Sequence, residues 1–241
     1  MKNNEFKDTL IKGFAEYNYN ISGEQINKLV NFNQMVMDVN KHTNLTAIEN
    51  GAESAKKHFL DSLNPAAISC ISSAKKIIDV GSGAGFPGIP LSILKEQADF
   101  TLLDTRKKRC EFIESAVSEL GLKNVTVLWG RAEELGKDKM HREQYDIACA
   151  RALAAAPILL EYLSPFLKIG GHVLLYKGKE AENEIAQSQN AADILGIDKF
   201  AVIPYKITDD VSSYNMLYAE KIFPTPDKYP RKPGIALKRP L

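Results

Sequence analysis

The chain has 241 residues, 44% hydrophobic and 25% charged, with a formal net charge of +1 at pH 7. That length allows one substantial core, or one core with a small cap, and the near-neutral balance argues against a protein that coats nucleic acid indiscriminately while leaving room for local basic patches. No apolar run reaches the ~18 residues of a membrane span, residues 1–8 carry no apolar signal-peptide core, and Cys70, Cys110 and Cys149 form no Cys-x-x-Cys pair, so a cytoplasmic protein without membrane contact, zinc site or disulfide framework is expected.

Residues 1–65 read as a helical extension. Ser22 and Gln25 have the spacing of a capping box, which predicts a helix from Gly23 or Glu24. Ile26, Leu29, Val30, Val36 and Val39 then recur at roughly helical spacing. Asn44-Leu45-Thr46-Ala47-Ile48 reads as an extended link, and a further helix over Ala52–Leu63 is expected to stop before Pro65. From Lys75 the rhythm changes. Strands are expected at Ile77–Val80, Phe100–Asp104, Val125–Trp129, Tyr145–Ala150 and His172–Tyr176. Two more, Lys199–Ile207 and Tyr214–Phe223, can pair at the sheet's end. Between them helices are expected over Pro90–Lys95, along Phe112, Ile113, Ala116, Val117 and Leu120 up to Gly121, over Ala156–Leu167 with Pro157 in its first turn, and over Glu180–Leu195. Regular alternation of this kind predicts a doubly wound α/β fold. Its mostly parallel seven-stranded sheet would occupy residues 66–241, which end in a basic, proline-rich tail from Lys228.

In such a sheet ligands bind beyond the carboxyl ends of the strands. Asp79-Val80-Gly81-Ser82-Gly83-Ala84-Gly85-Phe86-Pro87-Gly88 lies where the first strand ends. Two cofactor classes compete for it. Gly83-x-Gly85-x-x-Gly88 matches the dinucleotide fingerprint. That frame begins late, however, and Pro87 has no N–H to give a pyrophosphate. The other frame sets acidic Asp79 before Gly81-Ser82-Gly83-Ala84-Gly85, the pattern of class I methyltransferases. Their cofactor, S-adenosylmethionine, has no phosphates. The acidic residue organises the loop and faces the cationic methionine moiety, directly or through water. Asp104 ends the second strand, where a carboxylate can accept both ribose hydroxyls of either cofactor. Gly130-Arg131-Ala132-Glu133-Glu134 follows the third strand, where a backbone amide can meet an adenine edge. Arg106-Lys107-Lys108-Arg109 opens a helix, and positive charge there opposes the macrodipole by about 0.3–1 kcal/mol. Asp104 and Glu111, or the phosphates of a nucleic acid, can offset that.

These residues belong to a longer series of matching stretches. It comprises Asn44-Leu45-Thr46, His58-Phe59-Leu60-Asp61-Ser62-Leu63, Asp79 through Pro90, Leu102-Leu103-Asp104 with the basic run, Arg131-Ala132-Glu133-Glu134 and Ala150-Arg151-Ala152. Tyr176-Lys177-Gly178-Lys179 and Tyr229-Pro230-Arg231-Lys232-Pro233-Gly234 complete it. With them the chain resembles, along nearly its whole length, the bacterial 16S rRNA guanine-N7 methyltransferases, the RsmG or glucose-inhibited division protein B family. The resemblance implies the class I S-adenosylmethionine-dependent fold and methyl transfer to N7 of a guanine, nucleotide 527, in the 530 loop of 16S rRNA. S-adenosylhomocysteine would be the product, and no metal is implied. Cofactor contacts are implied at Gly81, Phe86, Ala132, Glu133 and Arg151. The expected partner is 16S rRNA within a small ribosomal subunit or an assembly intermediate, met by a monomer.

Guanine N7 carries an in-plane lone pair and no proton, so alignment and exclusion of water suffice without a general base. That agrees with a sequence lacking an obvious acid/base dyad. Amino-group methylation of adenine would show Asp/Asn-Pro-Pro-aromatic after the fourth strand, where this chain has Ala150-Arg151-Ala152-Leu153. Pyrimidine C5 methylation needs a cysteine nucleophile, and Cys149 lies inside a strand. Arg151 is a candidate to bond the guanine O6 or a phosphate, with a loop-supporting salt bridge as the alternative. Lys177, ending the fifth strand, is a candidate for the RNA backbone. A dinucleotide-dependent oxidoreductase and a non-catalytic RNA-binding module remain as rival readings.

Overall fold

The chain begins with two long helices, α1 (Lys2–Glu16) and α2 (Gly23–Thr43). The computed structural model describes residues 2–43, 46, 48, 50–208, 212 and 214–241, so Asn44, Leu45 and Ala47 of the expected link lie outside the described residues. The capping box closes as the sequence predicts: Gln25 N–H donates to Ser22 Oγ at 3.1 Å and Ser22 N–H to Gln25 Oε1 at 3.0 Å. Next, α3 (Gly51–Ser54) widens into a π-helical segment, Ala55–Leu60, in place of an uninterrupted helix. A helix the sequence did not announce, α4 (Pro65–Cys70), has Pro65 in its first turn and Asn64 Oδ1 accepting the Ala67 N–H.

The alternating part runs β1 (Lys76–Val80), α5 (Gly88–Leu94), β2 (Asp99–Asp104), α6 (Lys107–Glu119), β3 (Val125–Trp129), α7 (Ala132–Leu135), β4 (Tyr145–Arg151), α8 (Ala156–Leu163), β5 (Leu167–Lys177), α9 (Ala181–Leu195), β6 (Ala201–Tyr205) and β7 (Tyr214–Glu220), with α10 (Ile235–Lys238) in the tail. They form the expected seven-stranded sheet, in the order β3-β2-β1-β4-β5-β7-β6. Strands β1 to β5 are parallel, and β7 pairs antiparallel with both β5 and β6. The order reverses between β1 and β4, which opens a crevice at their carboxyl ends.

Several boundaries differ from expectation by a few residues, most of all at the α8–β5 junction. The helix expected to reach Leu167 stops at Leu163, and a 3-10 turn, Ser164–Phe166, follows. Pro165 has no N–H to continue the helical ladder. Leu167 instead opens β5, which carries Gly170-Gly171 through a bulge where the register steps from Tyr145↔Leu167 to Ile147↔His172.

Period-two alternation divides the sheet's side chains between two cores. Ile77, Phe100, Leu102, Ile147, Cys149 and Leu174 join Phe6, Phe14, Phe32 and Phe59 from the N-terminal helices. Ile78, Val80, Leu103, Ala148 and Val173 join α8, α9 and two tail residues, Tyr229 and Ala236. The N-terminal helices thus share a continuous core with one face of the sheet. The tail is packed on the other.

Candidate functional site

The loop after β1 takes its shape from three glycines. Gly81, Gly83 and Gly85 have φ of 78°, 61° and 93°, a region L side chains rarely enter. Gly88 is required for a different reason: a Cβ there would lie 2.9 Å from Asp79 Oδ2 and 2.8 Å from Leu102. Most of the loop's amides turn into the fold. Gly81 and Ser82 donate to Leu103 O at 2.7 and 3.1 Å, Gly85 and Phe86 to Ser82 O at 2.8 and 3.0 Å, and Ile89 to Gly85 O at 2.8 Å. Gly83 donates to Asp104 Oδ2 at 2.9 Å and Gly88 to Asp79 Oδ2 at 3.0 Å. A pyrophosphate needs free amides at this turn. With these committed and Pro87 lacking one, the loop suits a ligand without phosphates.

Two carboxylates sit behind it. Asp79 is fully buried, and its Oδ1 has no hydrogen-bond partner among the described residues. Burial pushes its carboxyl up to about 7. An unsatisfied buried polar atom of this kind costs ~1–3 kcal/mol. Asp104, at the end of β2, accepts the Arg106 N–H on Oδ1 at 2.8 Å and faces Arg109 Nη1 with Oδ2 at 3.5 Å. Oδ2 is thus met by two donors, Gly83 N–H and Arg109, while Oδ1 keeps one acceptor site.

Outside the ends of β1, β2 and β3 lies a cleft of ≈ 270 Å³, just below the ~300–1,000 Å³ usual for ligand pockets. Val80, Gly81, Leu103, Asp104, Ala132, Glu133 and Tyr162 line it, with Leu153, Leu237, Arg106, Arg109 and Arg131. Leu237 arrives from the tail, which is fastened at three points. Gly234 N–H donates to Glu133 Oε1 at 3.1 Å. Arg231 grips Glu161, Nε to Oε1 at 2.9 Å and Nη2 to Oε2 at 2.5 Å. Arg142 donates to Tyr229 O at 3.0 Å and Thr225 O at 2.6 Å.

Arg151, at the end of β4, points toward the N-terminal helices. Its Nη1 donates to Lys57 O, His58 O and Asp61 Oδ2 at 3.2, 3.3 and 2.8 Å. Its Nη2 lies 3.4 Å from His58 Nδ1, and its guanidinium carbon 5.3 Å from the Phe86 ring centroid. An arginine can only donate, so Nδ1 accepts and the ring proton belongs on Nε2, 2.6 Å from Thr46 Oγ1. Burial, with Arg151 and Lys57 nearby, pushes the imidazole down to about 3, which leaves it neutral at physiological pH. Phe86 stacks on His58 at 4.7 Å, and Tyr205 donates to Asp61 Oδ1 at 2.6 Å.

Residues 25–209 match the family described as rRNA small subunit methyltransferase G. The chain belongs to the rRNA small subunit methyltransferase G family. A protein of that name from Alkaliphilus metalliredigens is 42% identical over 241 residues, covering 98% of this chain and 99% of the relative. One from Clostridium botulinum (strain ATCC 19397 / Type A) is 40% identical over 237 residues, again covering 98% and 99%. Among solved structures, a SAM dependent methyltransferase from Aquifex aeolicus superposes with a TM-score of 0.50 at 20% identity, over 68% of this chain and 92% of that one. M. jannaschii TYW2 in complex with AdoMet gives 0.51 at 14% identity, over 67% and 77%. These two likenesses show the class I methyltransferase fold.

The cleft brings together Gly81, Asp104, Ala132 and Glu133. Asp79, Ser82, Gly83 and Gly85 form the framework of the adjoining loop. Phe86 and Arg151 lie on the helical side of that loop, away from the cleft lining. Lys177, expected to meet the RNA backbone, is held by intramolecular partners. Its ammonium donates to Glu184 Oε2 at 2.6 Å and Ala154 O at 2.9 Å, and its side chain is 9% exposed. Glu184 Oε2 also accepts the Ala156 N–H at 2.7 Å, so Lys177 fastens the loop after β4. Sequence reasoning missed Tyr162 and Leu237 in the cleft and Tyr205 behind Arg151. Asp61 lay within a recognised motif, but no role was read for it.

Proposed function

We propose that this protein transfers a methyl group from S-adenosylmethionine to N7 of a guanine, nucleotide 527, in the 530 loop of 16S rRNA. Family membership supports the reaction class. The observation that carries the cofactor assignment is the glycine loop with most of its amides turned inward beside Asp104: it leaves no cradle for a pyrophosphate and suits a nucleoside. Bound in the cleft, S-adenosylmethionine supplies an electrophilic methyl group on a sulfonium. Asp104 Oδ1, with one acceptor site left, would take a ribose hydroxyl. Ala132 and Glu133, opening α7, meet the adenine edge. Val80, Leu103 and Tyr162 exclude water from the ring. Asp79 ionises when a cationic group reaches the loop.

No residue has to remove a proton from guanine N7, and the strongest alternative nucleophile is disabled. Burial pushes the Cys149 thiol far up, and Cys149 lies outside the cleft. Alignment of nucleophile, methyl and sulfur then provides the acceleration. Arg151 acts in this reading as a positioning residue that ties Phe86 and the glycine loop to the extension of residues 1–65, with residues 66–241 as the catalytic domain. The substrate is 16S rRNA in a small subunit or its assembly intermediate, met by a monomer in the cytoplasm.

Calorimetric titration with S-adenosylmethionine and with NADH tests the cofactor: heat from the first alone is expected, and heat from NADH alone contradicts the reading. Mapping N7-methylguanine in 16S rRNA from cells lacking the gene tests the target. Loss of the modification in the 530 loop is expected, and unchanged modification contradicts it.

A further inference from the structure

Trp129 is the chain's only tryptophan, and it is 62% exposed at the end of the edge strand β3. It does not dangle. Its Nε1 donates to Thr105 O at 3.1 Å, which fixes the plane of the indole. Lys107 Nζ lies 5.7 Å from the ring centroid. Thr105, Arg106 and Gly130 line the cleft, so the indole stands beside its mouth. Arg106, Lys107 and Lys108 are exposed at the start of α6, where cations oppose the helix macrodipole. Lys107 reaches Glu111 only at 3.8 Å, and neither Arg106 nor Lys108 has an ion-pair partner among the described residues. A fixed, exposed aromatic ring beside two cations without an ion-pair partner, Arg106 and Lys108, and one loosely paired, Lys107, complements a polyanion that carries flat apolar groups.

We propose that Trp129 is a stacking platform for an unpaired base of the RNA substrate, with Arg106, Lys107 and Lys108 holding the flanking phosphates. This rests on the rRNA methyltransferase reading and adds to it where the RNA lies, across the β3–α6 side of the cleft. Single-stranded RNA is recognised by stacking splayed bases on aromatic side chains, largely without sequence preference. An indole already fixed by a backbone hydrogen bond loses little freedom when a base covers it. The surrounding cations favour RNA over an apolar protein partner.

A single tryptophan makes the test direct. The full-length protein is titrated with deproteinised 16S rRNA, with indole fluorescence and filter retention followed in parallel at several salt concentrations. Saturable quenching that tracks retention is expected. Trp129→Ala should weaken RNA binding about tenfold, and Trp129→Phe should keep most of it. Neither substitution should change S-adenosylmethionine affinity. Lys107→Ala and Lys108→Ala should each lower the salt slope by about 0.7. Indole fluorescence that stays constant while retention saturates, or wild-type RNA affinity in Trp129→Ala, overturns the proposal and leaves the methyltransferase reading standing. A Trp129→Ala defect seen only on particles carrying ribosomal proteins also overturns it, in favour of a protein contact. A wild-type protein that neither retains 16S rRNA nor methylates small-subunit particles overturns both.

Discussion

Asp79 and His58 both feel the Arg151 guanidinium beside the glycine loop, and burial shifts them in opposite directions. Burial raises the Asp79 carboxyl from 3.8 to about 7, so the folded chain holds a proton there that the unfolded chain releases. Its contribution to stability is present below pH ~4 and is lost as pH rises toward ~7, at up to about 1.4 kcal/mol per pH unit. Burial lowers His58 from 6.5 to about 3, so its contribution is present at neutral pH and is lost as pH falls through that interval. The two slopes oppose each other between pH ~4 and ~6.5. Asp79→Asn removes the first and keeps a side chain able to accept from Gly88. The stability of Asp79→Asn relative to wild type should therefore rise with pH across ~4 to ~7, with every other titrating group cancelling in the difference. Chemical denaturation of both proteins across that range measures it, and a difference independent of pH contradicts the assignment. The residue identities here were legible. Asp79 and the glycines announced themselves because positive φ and close approach leave few residue choices. The directions of Arg151 and Lys177 were not, since long side chains at strand ends can turn to either side.

Two elements brace the site from opposite faces. On one, the π-helical segment Ala55–Leu60 offers the carbonyls of Lys57 and His58 to Arg151 beside the Asp61 carboxylate; π-turns are rare and frequently mark functional positions. The Asp61 and Arg151 side chains are 12% and 13% exposed. Asp61→Ala should cost about 3 kcal/mol by leaving the guanidinium without its counter-charge. Tyr205→Phe should cost about 1.5 kcal/mol for one hydrogen bond to a charged group. Urea titrations of the two variants check this, and a loss below ~1 kcal/mol for Asp61→Ala contradicts the picture of a buried pair. On the other face the tail is held by Arg231 on Glu161, whose side chain is 1% exposed. Arg231→Ala should free the tail, expose residues 224–241 to limited proteolysis and weaken S-adenosylmethionine binding through loss of the Leu237 wall. An unchanged digestion pattern with unchanged affinity contradicts that. A loop-supporting salt bridge was among the readings of Arg151, but its partner beside the π-helical segment and the tail brace were not readable beforehand. Helix α10 is one turn in a proline-rich stretch, too short for periodicity to show, and a π-turn leaves no residue signature.

At the scale of the molecule, element order was legible because strand and helix periods alternate cleanly from β1 onward. The antiparallel end of the sheet was readable as two further strands able to pair there. Contacts that close over long stretches of chain were not legible. Tyr205 meets Asp61 across 144 residues and Gly234 meets Glu133 across 101, and both depend on which face each segment finally covers. Their common effect is that the N-terminal helices, the sheet and the tail meet around one loop. A ligand bound there should stabilise the whole chain, and thermal unfolding should shift upward with S-adenosylmethionine as binding to the folded state alone requires.

The most direct measurement incubates the purified protein with methyl-labelled S-adenosylmethionine and small ribosomal subunits from cells lacking its gene, then maps the label in 16S rRNA. One labelled N7-methylguanine in the 530 loop is the predicted result. Label at another atom or another site, or no transfer at all, would contradict it.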